Sequence, residues 1–235
     1  MATIYLIRHG QASFGAENYD KLSQLGERQA EIVGQYFRQC DIRLDAAYSG
    51  NLSRQHRTAE LTIEQQGYEV PHHIDARFNE VKNDEHVEYF KDRIAARDPD
   101  LAQKLVEGSF TSKDYQKVVE AVFTHWVSPD CNEPRTQSWA DYSAEVKDAM
   151  RDVMKHEGSG KTIGIFTSGG TIATIVSQVL GLTGEHAYSF YEPVINCSVT
   201  QLFYNSSRVS LSYFNDHSFL DILGRQNSEN LVTYR

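Results

Sequence analysis

Residues 162–176, TIGIFTSGGTIATIV, carry the pattern that most restricts the fold. The apolar run at 163–166 is too short for a helix, and Ser168-Gly169-Gly170 follows it closely. Apolar residues then recur at helical spacing, at Ile172, Ile175, Val176 and Val179. Strand, sharp turn and helix follow one another, the unit from which parallel sheets are assembled. The first backbone N–H groups of such a helix have no partner within it, and they favour an anion.

A similar short apolar run, residues 4–7, leads straight into Arg8-His9-Gly10. Ser23 is placed to cap a helix reaching about Gln39, with Ala30, Val33 and Phe37 on its apolar face. A short strand at 46–48 and a helix at 53–66 come next, the helix stopping at Gly67. Between about 83 and 135 charges are dense and the pieces at 100–107 and 114–126 read as helical, which predicts a helical insertion or lid. Ser138 caps a further helix ending near Gly158, and 198–204 with 209–214 read as a strand pair around Asn205-Ser206-Ser207. The expectation is one α/β domain over residues 1–235: a three-layer αβα sandwich around a mainly parallel sheet, with the helical insertion added.

The 235-residue length suits that size of core, and a net charge of −9 argues against wrapping nucleic acid. Cys40, Cys131 and Cys197 are too few and too scattered for a disulfide framework or a zinc site. A reducing cytoplasm is the expected location. No run approaches the ~20 apolar residues of a membrane span, so no membrane partner is expected.

Ligands of open α/β sheets sit at the carboxyl ends of the strands. Arg8, His9 and Gly10 lie at one such end, and Ser168 and Gly169 at another. Arg54 falls near a helix N-terminus, where a cation opposes the macrodipole unless it serves an anion. Arg57, one turn on, is expected to share its face.

RHG after the first strand, LSQLGERQA at 22–30 and SGNLSRQHRTAE at 49–60 together resemble the histidine phosphatase superfamily, which includes the cofactor-dependent phosphoglycerate mutases. ARFNE at 76–80, QSWADYSAEV at 137–146, INCSVTQLFY at 195–204 and FNDHSFL at 214–220 extend the resemblance to most of the chain outside 83–135. It implies that His9 attacks a phosphoryl group and forms a covalent phosphohistidine. Arg8 and Arg54 would clamp the phosphoryl oxygens, since guanidinium forks match that geometry. Glu80 would protonate the leaving oxygen, with Glu85 and Glu88 as rivals. No cofactor or metal is expected, and the partner implied is a small-molecule phosphate ester or other phosphorylated substrate.

The chain departs from the family pattern at Ser168, which stands where the family usually carries a second histidine. A hydroxyl still donates a hydrogen bond but carries no charge. Arg57 swinging inward, or the helix N-terminus at Gly169, would be the substitutes; otherwise catalysis is lost. Gly15, where the mutases carry asparagine, and Gln137, where many relatives carry glutamate, weaken the mutase reading. The leading expectation is a phosphomonoesterase of reduced or specialised activity. The alternatives are an inactive pseudo-phosphatase that binds phosphorylated ligands or a protein partner, and a phosphoglycerate mutase.

Overall fold

The computed structural model describes residues 2–13, 20–107 and 111–234. Six strands form one sheet: β1 (Ala2–Arg8), β2 (Ala46–Ser49), β3 (His72–Ile74), β4 (Thr162–Thr167), β5 (Val199–Tyr204) and β6 (Val209–Asp216). Their order is β3-β2-β4-β1-β5-β6. β3, β2, β4 and β1 run parallel, while β5 pairs antiparallel with both β1 and β6. The expectation of a mainly parallel sheet holds, with an antiparallel margin at the expected strand pair.

Alternation along β1 explains the layers. Ile4 and Leu6 enter one core, with Val146 of α6 (Trp139–Glu157) and Ile172 and Ile175 of α7 (Gly169–Val179). Tyr5 and Ile7 enter the other, with Ala30, Val33 and Phe37 of α1 (Gln24–Gln39) and Ala59 of α2 (Ser53–Glu64). Helices therefore cover both faces of the sheet. Ser23 caps α1 by accepting from the Gly26 N–H, as its position predicts, and Ser138 caps α6 by accepting from Asp141.

The charge-rich segment is helical, as expected. It contains α3 (Asn83–Arg97), α4 (Pro99–Glu107) and α5 (Ser112–Trp126). Phe90, Phe123 and Trp126 pack inward and are buried, and the Trp126 ring lies 5.2 Å from that of Trp139 on α6. α8 (Ala187–Tyr191) and α9 (Ser218–Asn227) complete the helices of the described residues.

Some details differ from expectation. α2 closes at Glu64 because Gln65 and Gln66 turn back to the carbonyls of Thr62 and Ile63, so the helix ends short of the expected stop at Gly67, whose φ is 75°. β3 and α9 had no sequence forecast: a three-residue strand bearing two histidines shows no apolar run.

Gly10 and Gly26 answer one another across the fold. A methyl group on Gly10 would lie 2.3 Å from the Gly26 carbonyl oxygen, so the turn after β1 and the start of α1 meet backbone to backbone. This contact fixes the exit of β1, where the candidate site begins.

Candidate active site

Pairing of β1 with β4 sets Arg8 opposite Thr167, and the His9 N–H donates to the Thr167 carbonyl at 2.8 Å. His9 and Ser168 thus end neighbouring parallel strands. The imidazole is only 4 % exposed. Its Nδ1 lies 2.7 Å from the Gly10 carbonyl, a contact that requires the proton on Nδ1. That leaves the Nε2 lone pair to receive a hydrogen bond from Arg54 Nε at 3.2 Å. Burial, with the charges of Arg54 and Arg8, pushes the His9 pKa well below the usual histidine value. The side chain is a neutral imidazole with its available nitrogen facing a guanidinium.

Arg54 enters from the first turn of α2 and is 8 % exposed. Its Nη1 donates to Asp20 Oδ1 at 2.7 Å, and the other oxygen of Asp20 accepts from the Ser53 N–H at 2.7 Å. The carboxylate therefore offsets a cation at a helix N-terminus, and holds the guanidinium toward His9. Thr58, one turn along, accepts from the Gly10 N–H and donates to the Arg54 carbonyl, tying α2 to the end of β1. Arg8 donates from Nη1 to the Val194 carbonyl.

Glu80 reaches the same place from the segment after β3. Its Oε1 accepts from the Gly170 N–H in the first turn of α7 and from the Val81 N–H, both at 3.0 Å. Burial raises its pKa above the ordinary carboxylate value, against the opposing pull of Arg54, Arg8 and these two N–H groups. Glu85 instead pairs with Lys82 at 3.2 Å on the exposed side of α3.

Ser168 is the N-cap of α7 and is fully buried, yet its side chain makes no capping hydrogen bond. Its Oγ accepts from Gln55 Nε2 at 2.8 Å, and the same amide donates to the Phe78 carbonyl at 3.1 Å. Gly169 lies under the Tyr191 ring; a methyl group there would come within 2.9 Å of it and 3.8 Å of Arg8 Nε. The α7 N-terminus therefore presents one N–H to Glu80 and has a tyrosine packed against its first residue.

The structure thus brings together Arg8, His9, Arg54, Glu80, Ser168 and Gly169, contributed by four separate stretches of chain. It does not bring Arg57 to them, which corrects the expectation that Arg57 shares the face of Arg54. The Arg57 guanidinium lies on the outer side, 3.1 Å from Glu60 and 3.5 Å from Glu27. Both acids raise its pKa further. Gly15 lies outside the described residues. His56, His125, His186 and His217 make local contacts instead, with His72, Phe90, Thr183 and the Asn215 carbonyl respectively.

Asp20 and Gln55 escaped sequence reasoning. Gln55 follows Arg54 in the same motif and begins the buried set Gln55, Thr58, Ala59 and Thr62, so a polar residue on an inward helical face was its available signal. Asp20 carried none, because its partners are more than thirty residues away in the chain.

Known proteins share the family pattern and the fold. Residues 4–217 match the histidine phosphatase superfamily (branch 1). A probable phosphoglycerate mutase GpmB of Klebsiella pneumoniae is 25% identical over 214 residues, covering 88% of this chain and 87% of that one. Among solved structures, Bacillus stearothermophilus YhfR superposes with a TM-score of 0.67 at 21% identity, covering 93% of this chain and 99% of its own. An Entamoeba histolytica phosphoserine phosphatase variant crystallised with phosphoserine gives 0.64 at 20%, covering 94% and 100%. The mycobacterial glucosyl-3-phosphoglycerate phosphatase Rv2419c in complex with VO3 gives 0.65 at 19%, covering 91% and 98%. With the α/β fold shared across those structures and the family match spanning both sides of the insertion, this chain belongs to the histidine phosphatase superfamily.

Proposed function

We propose that the chain is a phosphomonoesterase that forms a phosphohistidine at Nε2 of His9. The observation that carries this reading is the orientation of that ring. Nδ1 is committed to the Gly10 carbonyl, and Nε2 faces Arg54. A neutral imidazole next to a guanidinium fork suits attack on an anionic phosphoryl group. Arg54 and Arg8 are the cations for the three phosphoryl oxygens, and their value is greatest as charge redistributes during transfer.

In the first step the Nε2 lone pair bonds to phosphorus while the ester P–O bond breaks. The departing oxygen keeps the bonding pair and takes the proton of Glu80. In the second step the Glu80 carboxylate takes a proton from water, whose oxygen bonds to phosphorus as the N–P bond breaks. The bonding pair returns to Nε2, and the products are an alcohol and phosphate. The raised pKa of Glu80 suits both halves of this exchange.

The productive free enzyme has His9 neutral and Glu80 protonated. It is depleted below the His9 pKa, which lies well under the usual histidine value, and above the raised Glu80 pKa. The enzyme is therefore expected to lose kcat/KM toward alkaline pH as Glu80 ionises. The relatives' names support hydrolysis of phosphate esters, since the Entamoeba histolytica and mycobacterial structures are both called phosphatases.

A second reading, phosphate-ester binding without chemistry, rests on Ser168, which supplies a neutral oxygen already engaged by Gln55. The deciding experiment is phosphate release from phenyl phosphate, with alkaline quenching to trap phosphohistidine and His9→Ala in parallel. The expected result is release at least ~10³-fold above the variant, with label on His9 in the native protein alone. Equal rates and no label, with both proteins folded, would replace the enzyme by the binding protein.

A further inference from the structure

A cavity of about 530 Å³ opens beside the phosphoryl-binding cluster, and Arg8 belongs to its wall. That volume lies within the ~300–1,000 Å³ range of sites for drug-sized ligands, which is generous for a three-carbon acid. Tyr188, Tyr191 and Tyr234 contribute rings, and Gln116 and Glu192 contribute the polar groups used below.

Two of the rings have firm backing. Tyr188 and Tyr191 lie 6.0 Å apart, edge to face, and both pack on Phe123 of α5, at 5.8 and 5.5 Å. The Tyr191 hydroxyl accepts from Asn83 at 3.0 Å, and its ring covers Gly169. The wall is preorganised, with its inner edge at the phosphoryl site. Across it, Gln116 Nε2 donates to Glu192 Oε1 at 2.6 Å, which joins α5 to the end of α8. That bond leaves the second carboxylate oxygen of Glu192 able to accept from a hydroxyl.

The charge of the wall is selective. Arg8 is the one lysine or arginine among the described lining residues, and it already serves the phosphoryl group in the reading above. A carboxylate on the leaving group would meet Glu192, and the described lining residues offer no second cation to offset it, so the like charges repel. A ring would cover tyrosine faces that a short acid leaves in contact with water.

We infer that the substrate's leaving group is a ring-bearing alcohol without a carboxylate, held against the Tyr188–Tyr191 wall, and that Glu192 excludes acidic esters such as phosphoglycerate. This inference rests on the proposed phosphatase site for the position of the phosphoryl group. It parts this chain from the mutase named among its curated relatives.

The test is calorimetric titration of His9→Ala protein, in which binding is read without turnover. The probes are phenyl phosphate, 4-carboxyphenyl phosphate and 3-phosphoglycerate. Phenyl phosphate is expected to bind about tenfold more tightly than either acid, corresponding to ~1.4 kcal/mol. Adding the exposed-site change Glu192→Lys is expected to close most of that gap by tightening the acids. Equal or tighter binding of the acids, a gap that Glu192→Lys leaves unmoved, or no measurable binding of any ester would overturn the inference. Phosphate release by the unaltered protein is scored separately. A preserved preference with no release leaves the pocket assignment standing and removes the phosphatase reading.

Discussion

The ends of β1 and β4 lie side by side in one parallel pair, and they are built from different chemistry. At the end of β1 an imidazole is buried next to Arg54, with Arg8 preceding it, and its pKa is driven down by burial and by both charges. At the end of β4 a serine hydroxyl accepts from a neutral amide, and the following helix N-terminus gives one N–H to Glu80. Among the described residues, the cations beside His9 therefore come from β1 and α2. The β4 side contributes a helix N-terminus, which holds the Glu80 carboxyl from the segment after β3. The lesson is that position on the sheet selects where an anion is received, while side chains and their partners decide how strongly.

Several substitutions would break this contrast or sharpen it. Glu80→Gln removes the acid supplied on the β4 side. Turnover is expected to fall by about 10²–10⁴-fold, and the alkaline limb of the kcat/KM profile assigned to Glu80 should vanish. A variant profile that retained the limb would move the acid elsewhere. Arg54→Ala strikes the β1 side, with an expected loss of about 10²–10³-fold. The His9 pKa should also rise toward its ordinary value, because Arg54 is one cause of its depression. Titration of the His9 ring by NMR checks this, and an unmoved midpoint would leave burial and Arg8 as the explanation.

Gly10→Ala tests the backbone contact that aims β1. Its methyl group would fall 2.3 Å from the Gly26 oxygen, so a destabilisation of about 1–3 kcal/mol is expected in denaturant unfolding. The smallest effect belongs to Ser168→Ala. A neutral hydrogen bond contributes ~0.5–1.5 kcal/mol, so turnover should change by only about two- to tenfold. A loss as large as that of Arg54→Ala would show that the hydroxyl carries far more of the phosphoryl charge than its neutral partner suggests. Ser168→His is expected to gain activity only together with Gln55→Ala, because Gln55 Nε2 sits 2.8 Å from the serine oxygen that an imidazole would replace.

The same two regions differ in how much of them could be read in advance. The β1 end was legible: an apolar run, then a cation, an imidazole and a glycine, all adjacent in the chain. Ser168 at the cap of a glycine-rich turn was legible too, as was the helical texture of the insertion. Arg57 was misplaced because helical spacing gives angular position around an axis and says nothing about what lies opposite. Glu27 and Glu60 were waiting on the outer side. Glu80 was placed by resemblance, and its actual seat on the Gly170 N–H joins residues ninety positions apart.

Periodicity, turn residues and caps by themselves determined β1, β2, β4, α1, α2, α6 and α7, since each depends on neighbours within a few positions. They determined that Arg8, His9 and Ser168 would emerge at strand ends. Only the tertiary structure decided that His9 and Ser168 would be adjacent, that Asp20 would hold Arg54, and that Gln55 would take the serine oxygen. It also placed the tyrosine wall and Glu192 next to Arg8. Those contacts depend on sheet register and on which helix faces pack together, and distant parts of the chain settle both jointly as the core closes.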